Sequence, residues 1–238
     1  MRKDLTFHVL RITKAASRSK LVCKFSAPSF LILLLPNPTP TTPMFDFWHG
    51  FIWKALFALI SGYLMGSLPW GVIISRIFGG PDPRTVGSGH TGATNVFLNT
   101  GQVAGILTGL MDFGKGALAV WLVQQIFPDP WLVPITGVAV IIGHCWPAFA
   151  DFKGGMGVAT AAGLALWQFP VILPIFAAAY FLVNYFVKHQ ARTMMLISAF
   201  IPLMVLPFHL SAPKMALASG IAIVLVIRWA SDFNRTYD

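Results

Sequence analysis

Three short polar stretches interrupt an otherwise apolar chain, and each carries residue types suited to holding an anion. The first is GPDPRTVGSGHTGATN, residues 80–95. Its glycines Gly87, Gly89 and Gly92 alternate with Ser88, His90 and Thr94. Glycine tolerates positive φ, so a run of this kind can turn several N–H groups toward one point and form a nest for a phosphate-like guest. Arg84 adds an always-charged, bidentate donor. Asn95 can contact a ligand or cap the helix that follows. A plain flexible loop is the competing reading.

The second stretch, Asp112-Phe113-Gly114-Lys115-Gly116, lies inside a long apolar run. Ionisable residues in such a place are costly unless they pair or line a cavity. Asp112 and Lys115 are three residues apart and share one helix face. They form either a structural ion pair or a lysine reaching an anionic substrate with an aspartate to hold it. The third stretch runs Gly143-His144-Cys145-Trp146-Pro147 and on through Asp151, Phe152, Lys153, Gly154, Gly155, Met156 and Gly157 to Thr160. KGGMG opening a helix offers unsatisfied N–H groups at a positive dipole end. It is not a P-loop, because GxxxxGK[ST] is absent. His144 is either a bonded core histidine or part of this site. Two anion cradles and a buried lysine exceed what one small phosphate needs. They point to group transfer between two phosphorylated molecules.

The elements that must position these stretches are membrane helices. Of 238 residues, 56% are hydrophobic and 11% are charged, against about 25% charged in a soluble domain. Segments of alternating polarity, the signature of a transmembrane β-barrel, are not visible. The expected fold class is an all-α polytopic bundle, from apolar runs at 50–75, 101–127, 130–149, 157–168, 170–187, 194–210 and 214–230. Seven crossings is the expected number and five the fallback, since the fourth run has only twelve residues. Placing the first run outside-to-inside puts Arg76, Arg84, Lys153, Lys188, Arg192, Arg228 and Arg235 on the cytoplasmic side, with only Lys54 and Lys214 outside. That satisfies the positive-inside rule with the N-terminus out and the C-terminus in.

Residues 1–43 differ from the rest. They hold seven of the 17 basic residues and one acid, and they end in the helix-breaking PNPTPTTP. We expect a basic tail there, disordered, targeting or upstream of the true start, and a membrane domain over 44–238. Two cysteines, Cys23 and Cys145, make no disulfide framework. No clustered metal ligands appear, and the basic charge comes with no nucleic-acid motif, so neither a metal, a cofactor nor a nucleic-acid partner is expected.

GSLPWG (66–71), DPRTVGSGHTGATN (82–95), DFGKG (112–116) and GHCWPAFADFKGGMGVAT (143–160) resemble the signature blocks of the bacterial acyl-phosphate:glycerol-3-phosphate acyltransferases of the PlsY type. The resemblance implies a seven-helix inner-membrane enzyme, its site facing the cytoplasm, that transfers a fatty acyl group from acyl phosphate to the 1-hydroxyl of glycerol 3-phosphate without metal or cofactor. It implies catalytic positions at Ser67, Arg84, Lys115 and Lys153. Phosphate contacts would come from Gly87, Ser88, Gly89, His90, Gly92, Thr94, Asn95, His144, Gly154, Gly155, Gly157 and Thr160. A monomer in the bilayer is expected. The chain departs from the pattern at His90 (Asn in the pattern), Met156 (Lys), Trp229 (His) and Asp232 (Asn). A carboxylate at 232 would repel an incoming phosphate. That leaves open an altered acceptor, or a non-catalytic or regulatory relative.

Overall fold

A computed structural model describes residues 43–235, with side chains from His49 onward. The expectation of a basic tail over residues 1–43 falls almost wholly outside the described residues. The described residues form helices and turns, with no strand among them. The elements are α1 (Pro43–Gly66), α2 (Trp70–Ile77), α3 (Ala93–Asn99), α4 (Gln102–Ile126), α5 (Leu132–Cys145), α6 (Val158–Gln168), α7 (Ile172–Val187), α8 (Gln190–Ala199), α9 (Ile201–Val205) and α10 (Ala212–Ala230).

Each apolar run has become helix, with two differences from the sequence reading. The first run is interrupted at Ser67–Pro69, where Pro69 cannot continue the backbone ladder, and α2 resumes beyond it. The sixth run is bent by 50° between α8 and α9. Pro202 lies at the start of α9, where its missing N–H and its ring end the preceding ladder. Among the described residues, four helical stretches can cross a membrane by length and composition, or five if the bent pair is one span. α6 and α7 are shorter apolar helices. At 11 residues α6 is about 17 Å long, just over half of a roughly 30 Å hydrocarbon core.

α10 is the central element. It packs on α5 and α8 and touches α6 and α9. Its Leu217, Ala218, Ile221, Ala222 and Leu225 join Val140 and Ile141 of α5 and Leu164 and Ala165 of α6 in one core. In a bilayer such cores rely on close packing and small residues, since lipid tails compete for apolar contact as well as leucine does. Two helix crossings depend on glycine in this way. At the first, α1 meets α5: a Cβ on Gly143 would run into the carbonyl oxygen of Tyr63, and one on Gly66 into that of Val140. At the second, α4 meets α6: a Cβ on Gly116 would strike the carbonyl of Thr160, and one on Gly163 that of Phe113.

Contacts along the helices fix their directions. Trp53 and Phe57 of α1 stack edge-on against Phe127 just past α4, while Tyr63 nearer the other end donates to the Trp146 carbonyl at 3.0 Å. Lys214 at the start of α10 donates to the Gln168 carbonyl that ends α6, at 2.8 Å. Arg192 at the start of α8 reaches the Phe233 carbonyl past the end of α10. All three polar stretches therefore gather at one end of the bundle. Because backbone oxygen limits the α1–α5 approach, Gly143→Val should push the two helices apart. We expect it to lower the thermal unfolding midpoint in detergent by several degrees or to prevent recovery of folded protein, whereas Gly114→Val, where no atom lies near the added carbon, should not.

Candidate active site

Under the polar end lies a buried ionic cluster. Lys115 Nζ is 2.8 Å from Asp112 Oδ1 and donates to the Leu68 carbonyl at 3.0 Å. His144 Nδ1 approaches the same Asp112 oxygen at 3.4 Å. Thr160 Oγ1 donates to the Asp112 carbonyl at 3.0 Å. Lys115 is only 5% exposed. The ion pair that both readings contain is formed, and its lysine also braces the turn that breaks α1 from α2. His144 is buried, and a Cβ on Gly155 would run into its ring. Ser67 is buried as well and accepts the Ala148 N–H at 3.3 Å. It thereby ties the GSLPWG turn to the short helical turn after α5.

Above this cluster sit the two glycine-bearing loops. The loop over residues 80–95 is organised by Asn95. Its Nδ2 donates to the carbonyls of Pro83, Val86 and His90 at 2.7, 3.1 and 2.8 Å. Its Oδ1 accepts from the Ser88 N–H and from Asn99 Nδ2. The side chain expected to touch a ligand or cap a helix instead works inside the loop, and the N-cap of α3 is Gly92. Gly87 and Gly89 have φ of 54° and 70°, the conformation a nest requires, and Thr94 lies exposed on the first turn of α3. Thr91 N–H reaches the Gly154 carbonyl at 3.4 Å, so the two loops touch.

Arg84 is committed to two carboxylates. Nε donates to both Asp82 oxygens at 3.0 and 3.1 Å, and Nη2 donates to Asp82 Oδ2 at 2.7 Å. Nη1 donates to Asp151 Oδ2 at 2.8 Å. The guanidinium holds the Asp82 carboxyl below its ordinary range by these hydrogen bonds. Asp151 and Phe152 both adopt left-handed backbone, at φ of 52° and 56°. That conformation is strained for residues with a Cβ. It places Asp151 against Arg84, with its side chain 81% exposed. Lys153 is exposed beside it. Gly157 caps α6 with φ of 84°.

The sequence reading missed Arg228 as a site residue. Its Nε donates to the Gly155 carbonyl at 2.9 Å and its Nη2 to the Gly154 carbonyl at 3.4 Å. Nη2 also lies 3.1 Å from His90 Nδ1. The signal was there: a basic residue in the last turn of an apolar helix, at the end where the other polar stretches meet. His90 Nε2 is 2.7 Å from Asp232 Oδ2, and Arg235 Nη1 is 3.9 Å from that oxygen. The carboxylate at 232 is thus buried and paired. Trp229 is buried in the core beside Ala191 and Leu225.

Arginine can only donate, so His90 Nδ1 is the acceptor and Nε2 carries the proton given to Asp232. Burial, with the nearby Arg228 charge, keeps the His90 pKa below its ordinary 6.5, although Asp232 pulls the other way. Among the described residues, Asp232, Arg228 and Arg235 are charged groups that act on it. A histidine whose pKa is lowered on folding resists protonation in the fold. Its contribution is complete above the unfolded value and declines as pH falls below about 6.5. We expect the thermal unfolding midpoint to drop between pH 7.5 and pH 5, and to drop less in His90→Asn.

Comparison with known proteins agrees with this geometry. A family model described as glycerol-3-phosphate acyltransferase matches residues 56–238. The glycerol-3-phosphate acyltransferase of Albidiferax ferrireducens is 35% identical over 190 residues, covering 76% of this chain and 84% of the relative. That of Zymomonas mobilis is 37% identical over 193 residues, covering 76% and 91%. Crystal structures of PlsY (YgiH), an integral membrane glycerol 3-phosphate acyltransferase, superpose with a TM-score of 0.66 in both the glycerol 3-phosphate form, at 31% identity, and the lysophosphatidic acid form, at 29%. Each superposition covers 76% of this chain and 90% of the other. With four separate motif blocks folded into one site and the family match running through all of them, the chain belongs to the glycerol-3-phosphate acyltransferase family.

Proposed function

We propose that this chain acylates the 1-hydroxyl of glycerol 3-phosphate, taking the acyl group from acyl phosphate and giving lysophosphatidic acid and phosphate. One observation carries the reading: four motif blocks distant in sequence are stitched together by named bonds at one end of a membrane bundle. Lys115 joins the first block to the third, Thr160 and His144 join the third to the fourth, and Arg84 and Thr91 join the second to the fourth.

In the reaction the 1-hydroxyl oxygen attacks the acyl carbonyl carbon. The ester C–O bond forms as the anhydride C–O bond to phosphorus breaks. The electron pair leaves on the phosphate, which also takes the hydroxyl proton. A mixed anhydride is already activated, so positioning and charge neutralisation supply the catalysis without a dedicated base. Arg84 and Lys153, at the glycine turns of residues 87–89 and 154–157, are the groups we assign to the phosphates. The buried Asp112–Lys115–His144 cluster and Ser67 hold the two loops in register beneath them. The acyl chain lies against the apolar helices.

The same reading places the site on the cytoplasmic side of the bacterial inner membrane. α1, α4, α5, α6, α7, the bent α8–α9 pair and α10 alternate between the two ends of the bundle, which supports seven passages. Arg84, Lys153, Arg192, Arg228 and Arg235 gather at the site end, while Lys214 lies at the other. That arrangement favours N-terminus out and C-terminus in, over a membrane domain of residues 44–238. Arg84→Ala and Lys153→Ala should each lower turnover of acyl phosphate with glycerol 3-phosphate by about 30- to 1,000-fold while the protein stays folded. An assay of purified protein decides it, and near-wild-type turnover in both variants removes these residues from the site.

A further inference from the structure

Two of the positions where this chain departs from the family pattern, His90 and Asp232, lie 142 residues apart and touch each other. The contact is short, at 2.7 Å, and the side chains are 11% and 7% exposed. On its other face the imidazole receives Arg228, which in turn binds the carbonyls of Gly154 and Gly155. Ser231 closes the group. It donates to the Arg228 carbonyl at 2.6 Å, lies 3.3 Å from Arg228 Nη1 and 3.3 Å from Asp232 Oδ1. One imidazole therefore connects the first glycine loop, the end of α10 and, through an arginine, the second glycine loop.

We propose that His90 and Asp232 form a positioning pair, which sets where Arg228 stands over the Gly154–Gly155 turn and so governs binding of glycerol 3-phosphate. The proposal rests on the function given above. Arg228 has its guanidinium plane fixed by acceptors on two sides, the Gly154 and Gly155 carbonyls and the imidazole, and the second belongs to the pair. Removing the imidazole frees Arg228 from one of them and takes from the Asp232 carboxylate its donor at 2.7 Å. Removing the carboxylate alone takes a negative charge from beside Arg235 and takes from His90 the acceptor at 2.7 Å. Replacing both with amides restores neutrality and leaves two groups that can bond to each other. The small, fully charged acceptor arrives from water at the end where Arg228 and Arg235 stand, whereas the acyl-bearing donor is held by the apolar helices. The pair should therefore act on the acceptor.

The test is a double-mutant cycle on the purified full chain, with wild type, His90→Asn, Asp232→Asn and the double variant. Both substrates are titrated, and the unfolding midpoint of each protein is recorded. We expect the KM for glycerol 3-phosphate to rise about tenfold in His90→Asn and at least threefold in Asp232→Asn. It should return to within about threefold of wild type in the double variant, with kcat and the KM for acyl phosphate changing less than threefold throughout. Single effects that multiply in the double variant, or that appear only in kcat or in the donor KM, overturn the proposal. If Asp232→Asn fails to fold, Asp232→Glu takes its place: it keeps the charge but displaces Arg228, and an unchanged acceptor KM counts against the pair. If none of the four proteins turns over, the acyltransferase reading falls on its own. The unfolding midpoints then decide the pair, non-additive shifts supporting it and additive shifts overturning it.

Discussion

The structure hangs on a buried charge. Asp112 and Lys115 occupy successive turns of α4 inside a membrane bundle, where an isolated ion would be prohibitively expensive. Each is satisfied by the other, and the remaining capacity is spent on different parts of the chain: Lys115 on the Leu68 carbonyl, Asp112 on His144. The cost of burial thus becomes a constraint on geometry. If the GSLPWG turn moves, the buried Lys115 loses an acceptor. If α5 shifts, Asp112 loses His144. The floor of the site is fixed because its alternatives leave unpaired charge in an apolar core.

That floor lets the loops above it be irregular. Glycine-rich segments gain their tight turns at the expense of order, and two such loops side by side would have little to hold them. Here one is pinned from within by Asn95 and from below by the Thr91–Gly154 contact. The other is stacked on the His144 ring and braced by Arg228. The glycines in the bundle serve a different purpose. Gly66, Gly143, Gly116 and Gly163 let helices approach to backbone contact, which brings the four motif blocks within reach of one another.

Much of this was legible in the sequence because membrane helices are written in long apolar runs and each run became helix. The Asp112–Lys115 pair was legible because i, i+3 spacing on a helix leaves two opposite charges no other inexpensive arrangement. What the sequence withheld were contacts between distant segments. Nothing local to Asn95 says that its amide will close on three carbonyls. Nothing local to Arg84 says that Asp151, 67 residues away, will meet it. Asp232 read alone is a charge in the wrong place, and only the fold brings His90 to it. Ser67 and His144 carried polar signals and the fold buries both, which side-chain type alone does not reveal.

The double engagement of Arg84 gives the resting enzyme an unusual relation to anions. A guanidinium already shared between Asp82 and Asp151 projects little net field into the surrounding water, so it does not accumulate whatever small anion is abundant. Because Asp151 is mostly exposed while Asp82 is held in a fork, Asp151 is the one that can give way. Occupancy of Arg84 is then an exchange of one oxyanion for another. Its free energy is a difference between two similar bonds, and a visitor prevails only by bringing further contacts that the aspartate cannot make. Chloride has none to bring. A phosphate, with oxygens to spare for a neighbour such as the exposed Lys153, does.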